Sequence, residues 1–301
     1  MRRVIGIVPV LIGVTIVVFL SVRLVPGDPA VAIAGIAGTE EDLARIRHRL
    51  GLDRPVYLQY AIWLANVVRG DLGRSVVNDY PVLPQLVSRG QMTLKLSLMA
   101  MLITAVVGVS LGIVAAYRSH TFWDYLAMAF AMTGISMPVF WIGLLLMYAF
   151  AVRLGWLPVA GAGTPAHLVL PGLTLALYST ALVSRMTRAS MLDVLSKEYV
   201  RTARAKGCSE PRVLIVHSFR SGLVPVITVF GLQFGYMLAG AVVTETVFAW
   251  PGLGRLLADA IFLRDFPIIQ GGVLVIALSF VLVNLATDVI VAAADPRLRY
   301  E

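Results

Sequence analysis

Five apolar stretches recur along this chain, at 93–117, 125–152, 168–182, 223–243 and 271–293, and a sixth runs from Val4 to Val22. The hydrocarbon core of a bilayer takes about 20 apolar residues of helix to cross. Inside it, every backbone N–H and C=O must be bonded within its own segment. All the runs are near or above that length except 168–182, which reaches it by including Ser184–Ala189. Arg185 and Arg188 in that extension are expected to snorkel toward the interface. The pattern predicts an all-α integral membrane protein with six transmembrane helices. Composition agrees, because 58% of residues are hydrophobic and 14% charged, against about a quarter charged in soluble domains.

Charge sets the expected orientation. The net charge of +8 could suit nucleic acid, but the basic residues flank apolar runs, which points to positive-inside anchoring instead. One side collects Arg2, Arg3, Arg118, Arg297 and Arg299 together with Arg185, Arg188, Lys197, Arg201, Arg204, Lys206, Arg212 and Arg220. The short loops of the other side hold Arg153, Arg255 and Arg264. Both termini are therefore expected in the cytoplasm. The single cysteine, Cys208, allows no intrachain disulfide and implies no metal cluster.

In chain order, Met1-Arg2-Arg3 and the first run read as a transmembrane helix, because the run is too long for a signal peptide's core and no small-x-small cleavage site follows. Arg23 is expected to snorkel at its far end, and Pro26-Gly27-Asp28-Pro29 ends the helix. The chain then stays polar to about Gly90. Thr39-Glu40-Glu41-Asp42 predicts a helix start, with Leu43, Ile46 and Leu50 as its stripe and Gly51 as its end. A second helix is expected from Pro55 to Arg69, closed by Gly70. The divisions expected are 1–90, a five-helix core at 91–293 with a cytoplasmic segment near 190–222, and a tail at 294–301.

That cytoplasmic segment is dense in charge between two apolar runs. Ser196 is expected to N-cap a helix starting at Glu198, and Lys206 with Gly207 to end it. Ser209-Glu210-Pro211 predicts a second short helix. Tyr199, Val200 and Ala203 share one side of the first helix, with Lys197, Arg201 and Arg204 on the other, and Ala203, Ala205 and Gly207 permit close approach. Two readings follow: a surface that docks another protein, or a solvated basic loop that orients the chain.

Catalytic patterns are not found. Ala205-Lys206-Gly207-Cys208 lacks the glycine-rich turn ending in Gly-Lys-Ser/Thr that holds nucleotide phosphates, so any ATP hydrolysis is expected on another chain. His48, His120, His167 and His217 fall in loops or interfacial stretches, and none pairs with a serine motif. Asp288 and Glu245 are candidates for an ion path, but both fall near helix ends, and Asp124 reads as a helix N-terminus. Pro138, in Ser136-Met137-Pro138, predicts a kink in the third span that frees a carbonyl near Gly134, as packing or as a bend lining a path. Glu245–Arg255, with Phe248, Trp250, Pro251, Gly252 and Gly254, predicts an irregular outer-interface segment.

Glu198–Gly207, EYVRTARAKG, resembles the conserved cytoplasmic loop of ABC importer permeases in the wording of their dipeptide/oligopeptide/nickel branch. Aligned on Gly207, the family's Glu-Ala-Ala-like triplet falls on Arg201, Thr202 and Ala203, and its trailing Ile-x-Leu-Pro on His217, Phe219 and Arg220. Only Ala203 and Gly207 match the general pattern, which separates the chain from sugar and amino-acid importers. MPVFWIG, ETVFAWPGLG, RLVPGDP, LGLDRPVYLQY, GDLGRS, RLGWLPV and DPRLR resemble the same branch across nearly the whole chain, and the long segment after the first helix resembles its "B"-type permease.

The resemblance implies a type I importer permease fold and an inner-membrane location. It implies a homologous second permease, two cytoplasmic ATPases that bind the ATP and Mg, and an extracytoplasmic binding protein as partners. It implies that Glu198, Tyr199, Arg201, Thr202, Ala203, Arg204, Ala205, Lys206 and Gly207 couple the ATPases to transport, and that Glu245–Gly254 sits where the binding protein docks. Di- or oligopeptide is the expected cargo, with nickel chelate, glutathione or haem as alternatives. A stand-alone secondary transporter fits the hydropathy but leaves the docking loop unused.

Overall fold

A computed structural model describes residues 2–24, 39–41, 44, 48 and 53–294. The break at Pro26–Pro29, the stripe of Leu43, Ile46 and Leu50, the side chains of Arg2, Arg3 and Arg23, and the chain from 295 onward lie outside the described residues. Among the described residues the structure is helical, with an isolated bridge between Arg74 and Pro81 as its extended pairing. The apolar runs all form helix, but not all as single rods.

The helices are α1 (Arg2–Leu24), α2 (Val56–Val68), and α3, which runs from Val82 to Tyr117 through a wide turn at Thr104–Gly108. Then come α4 (Phe122–Ser136), α5 (Val139–Leu146, prolonged by wide turns to Arg153) and α6 (Val169–Leu195). They are followed by α7 (Glu198–Ala205), α8 (Glu210–Arg212, prolonged to Phe219), α9 (Leu223–Gly240) and α10 (Val242–Val247). The last two are α11 (Leu253–Leu263) and α12 (Phe266–Ala294). As the sequence predicts, Pro55 precedes α2 and Gly70, with φ +80°, turns the chain beyond it.

Among the described residues, three helices are long and apolar enough to cross a membrane unbroken: Val82–Tyr117, Pro165–Leu195 and Phe266–Ala294. Two more crossings would each need a bent pair. Glu210–Phe219 meets the following helix at 66°, and α4 meets α5 at 108°. The expected kink at Pro138 is therefore a full break. Met137 is extended (φ −110°, ψ 142°), as a residue before proline prefers, and Pro138 (φ −59°, ψ 136°) caps a new helix by accepting from Trp141 N–H at 3.0 Å.

The chain forms two compact units, Met1–Met92 with Gly252–Val281, and Thr93–Pro251 with Leu282–Glu301. Residues 252–281, assigned from sequence to the five-helix core, thus pack with the amino-terminal unit. There Thr15 Oγ1 lies 2.9 Å from Tyr60 Oη, and the Phe19 ring lies 5.2 Å from Tyr60 and 5.7 Å from Trp63, joining α1 to α2. Val82, Leu86, Leu253, Ala260 and Ile268 form the unit's core. Asp265, buried at the start of α12, accepts from Ser75 Oγ and from Val76 N–H, so the 71–80 loop is tied to that helix.

In the second unit α6 is central. Met99 abuts Gly172, Thr104 abuts Ala176, Gly108 abuts Thr180, and Gly112 abuts Ser184 and Thr187, so α3 and α6 run parallel and in step. Apolar burial gives little drive between helices in lipid, and small residues let backbones approach closely enough for dispersion contacts to hold them. Gly134 brings α4 against the Leu177 carbonyl in the same way. Ser179 Oγ donates to Gln233 Oε1 at 3.2 Å, adding a polar tie from α6 to α9.

Candidate functional site

The charged segment at 193–222 folds as a short amphipathic helix on a firm seat. Val200 is fully buried and Ala203 nearly so, and with Val194 and Val213 they form a separate apolar cluster. Tyr199, expected on the same side, is 46% exposed, because its position falls a step round the helix from that seat. Ala203 packs in that same cluster and is 9% exposed. Glu198, Arg201, Thr202, Arg204, Ala205, Lys206 and Gly207 are exposed. The outward face is thus polar and the inward face is closed.

The ends of α7 are set locally. Ser196 does not cap it: its hydroxyl donates back to Asp193 O at 2.7 Å and terminates α6, while extended Lys197 takes the N-cap position. At the other end Gly207 adopts φ +78°, and the Gly207 and Cys208 N–H groups donate to Arg204 O (2.9 Å) and Ala203 O (3.2 Å). Glycine reaches this left-handed geometry without the clash a Cβ would make with its own backbone. No other atom lies within 4 Å of where that Cβ would stand, so the constraint is in the backbone alone. Arg204 spans the turn to Glu210 at 2.9 Å, fixing α8 beside α7.

Just inside this segment stands a contact that sequence reasoning missed. Asp124 is more than a helix N-terminus. It is 2% exposed, accepts the His120 N–H at 2.9 Å, and takes Arg188 Nε and Nη2 at 2.7 and 2.6 Å. Arg188 therefore turns inward to α4 instead of snorkelling. A partial signal was there, since a carboxylate and an arginine in apolar helices lower each other's cost of burial, but the sequence does not say that Asp124 and Arg188 are the two that meet.

Glu245, read as interfacial, is fully buried in α10 and accepts from Thr93 Oγ1 at 2.5 Å. Phe248 and Trp250 are buried, as are Gly252 and Gly254, and Pro251 is half-buried. The Phe248 carbonyl accepts from Gly161 N–H at 2.8 Å, and Trp250 N–H donates to Glu245 O at 2.8 Å. The segment marked as a docking surface thus turns these side chains inward. Asp288 is exposed on α12. Ser136 Oγ returns to Met132 O at 3.0 Å at the helix break.

Helices long and apolar enough to cross a bilayer, two bent helix pairs and a seated polar helix fit a multi-pass membrane protein. Solved structures share the fold: an inward-facing form of the MetNI methionine ABC transporter (TM-score 0.59, 18% identity, 70% of this chain and 96% of that one). An amino acid ABC transporter with histidines also matches (TM-score 0.52, 19% identity, 71% and 94%).

The chain belongs to the family described as binding-protein-dependent transport system inner membrane component, which matches residues 108–300, with its N-terminal companion matching 1–97. It is 45% identical over 300 residues to the glutathione transport system permease protein GsiC of Escherichia coli strain K12, and 46% identical over 301 residues to that of Salmonella typhimurium. Each alignment covers 100% of this chain and 98% of the relative. The chain is thus the permease subunit of an ABC importer, a multi-pass protein of the inner membrane.

Proposed function

We propose that this permease imports small peptides, with the tripeptide glutathione as first candidate, by alternating access driven by separate ATPases. The full-length likeness to GsiC supports glutathione, and the branch motifs support the wider peptide class. Its partners in this reading are a homologous second permease, two cytoplasmic ATPases that hold ATP and Mg, and an extracytoplasmic binding protein. In this reading both termini and α7 lie in the cytoplasm, an orientation that the basic residues around α7 support.

The observation that carries the coupling role is the seat of α7. Val200 and Ala203 are fixed to Val194 and Val213, so a push on the exposed face is passed to α6 and α8 instead of being absorbed by a loose loop. The test is isolation of the tagged chain from its native membrane, followed by reconstitution with the proteins that accompany it. Two ATPases and a second permease in stoichiometric amount, with ATP-dependent uptake of labelled glutathione blocked by short peptides, are expected. Recovery of the chain alone, with uptake running on an ion gradient, overturns the importer mechanism. Uptake of a nickel chelate or haem but no peptide overturns the cargo.

A further inference from the structure

The last turn of α11 breaks the pattern of the helix it ends. Leu253, Leu257 and Ala260 face inward and are buried, while Asp259 is exposed. Ile261, Phe262 and Leu263 then follow at 60%, 86% and 59% exposure. Phe262 is the most exposed large apolar side chain among the described residues. Three consecutive positions sweep about 200° of helix surface, so the tip projects as a whole and not as one face. It is nonetheless held firmly. Asp265 N–H donates to Ala260 O at 2.9 Å and Phe266 N–H to Arg264 O at 3.0 Å, while the buried Asp265 carboxylate accepts from Ser75 Oγ and Val76 N–H. Arg264 caps the helix at φ +55°, a left-handed position where glycine is usual and an arginine bears backbone strain.

The span that follows fixes the depth of this tip. α12 begins at Phe266, and its 29 residues rise about 43 Å, the thickness of a bilayer's hydrocarbon together with both headgroup layers. Its buried residues, Phe266, Ile268, Gly271 and Gly272, all fall in the first two turns, and the apolar helix beyond them has none. The start of α12 therefore lies at headgroup level, and the rigid tip just before it lies there too. We propose that this tip is a lipid anchor, with Ile261, Phe262 and Leu263 among the upper acyl carbons and Arg264 on a phospholipid phosphate. Interfacial helices bury apolar side chains about 5–10 Å into that boundary and keep their cations at its polar edge. A guanidinium meets phosphate oxygens through two parallel N–H···O bonds. Ile261–Arg264 carries no acid, and the adjacent Asp265 is buried and turned to Ser75, so no carboxylate at the tip repels the phosphate. Anchored so, α11 holds the 71–80 loop at the membrane surface through Asp265. In the orientation proposed above this is the outer leaflet, and the anchor is independent of the cargo.

The experiment places a photocrosslinker at the tip, as Phe262→p-benzoylphenylalanine, in the tagged full-length chain produced with its partner subunits. Native membranes are irradiated, and the chain is purified under denaturing conditions and weighed by mass spectrometry. The same substitution at Leu278, within α12, and at Tyr80, in the 71–80 loop, gives the comparison. An adduct of phospholipid mass is expected at position 262, as at 278, with a yield about tenfold above that at position 80. Arg264→Glu should lower the yield at 262 about fivefold, the loss of one cation's attraction to the lipid surface, while Arg264→Lys keeps most of it. A yield at 262 no higher than at 80 overturns the anchor. A crosslink to another subunit in place of lipid also overturns it and makes the tip a protein interface. A yield that Arg264→Glu leaves unchanged overturns the phosphate contact.

Discussion

Asp124 holds both arms of the Arg188 guanidinium, at 2.7 and 2.6 Å, and this pair clamps the start of α4 to the last turns of α6. A buried ion pair adds little net stability over apolar residues of the same volume, but removal of one partner strands the other's charge. Arg188→Met is therefore expected to destabilise the protein by about 3 kcal/mol, since Asp124 has little access to water. Asp124→Ala should cost less, because Arg188 keeps 26% of its side chain exposed. The double variant should recover part of either loss. Thermal midpoints in detergent for the four proteins measure this, and simple addition of the two single losses would refute the coupling.

Gly207 supplies a second prediction. Its φ of +78° costs most non-glycine residues about 1–2 kcal/mol, with asparagine among the better tolerated and β-branched residues the worst. Since nothing lies near its missing Cβ, side-chain size is immaterial and backbone preference decides. Gly207→Val should insert normally yet hydrolyse ATP without matching uptake. Gly207→Asn should keep most of the coupling. The number of substrate molecules moved per ATP in vesicles is the readout.

Gly112 acts through space instead. A Cβ there would stand 2.5 Å from Thr187 Cβ and 2.7 Å from the Ser184 carbonyl. Gly112→Ala is expected to cost about 1–3 kcal/mol as α3 and α6 are forced apart, and Gly112→Val more. Thr187→Ala should relieve part of the alanine penalty, while the Ser184 carbonyl keeps the remainder. Yield and thermal midpoint of the single and double variants check both statements.

Thr93 and Glu245 give a fourth test. Thr93→Val keeps the shape of the side chain but removes the donor 2.5 Å from a fully buried carboxyl group. A loss of about 1–3 kcal/mol is expected, as for other buried acceptors deprived of a donor. Thr93→Ser, which keeps the hydroxyl, should cost less than a third of that loss. A valine variant as stable as wild type would show that this bond contributes nothing.

The class of protein and its helices were legible because apolar length is a one-dimensional property. The end of α7 was legible for a related reason: Gly207 is a local signal for a local geometry. What the sequence obscured were contacts between distant positions. Asp124 and Arg188 are separated by the whole of α5 and its loop, and periodicity within a helix says nothing about which helix lies opposite. Trp250 and Phe248 misled in the opposite direction, since aromatic residues beside proline and glycine suit an interface and an interior equally well. Pro138 was read correctly as a disturbance, but its size was not legible. Whether the chain straightens beyond a proline depends on the neighbours that receive the second half.

The seat of α7 has a mechanical consequence. α6 is 27 residues long, about 40 Å at helical rise, and it leads into α7 through only Ser196 and Lys197. Such a rod behaves as a lever. A tilt of about ten degrees about one end carries the other end through about 7 Å, more than one helical turn. If α7 is the coupling helix proposed above, a tilt imposed at its end of α6 would be felt along the whole rod, past the close approaches at Gly112, Gly108 and Gly134.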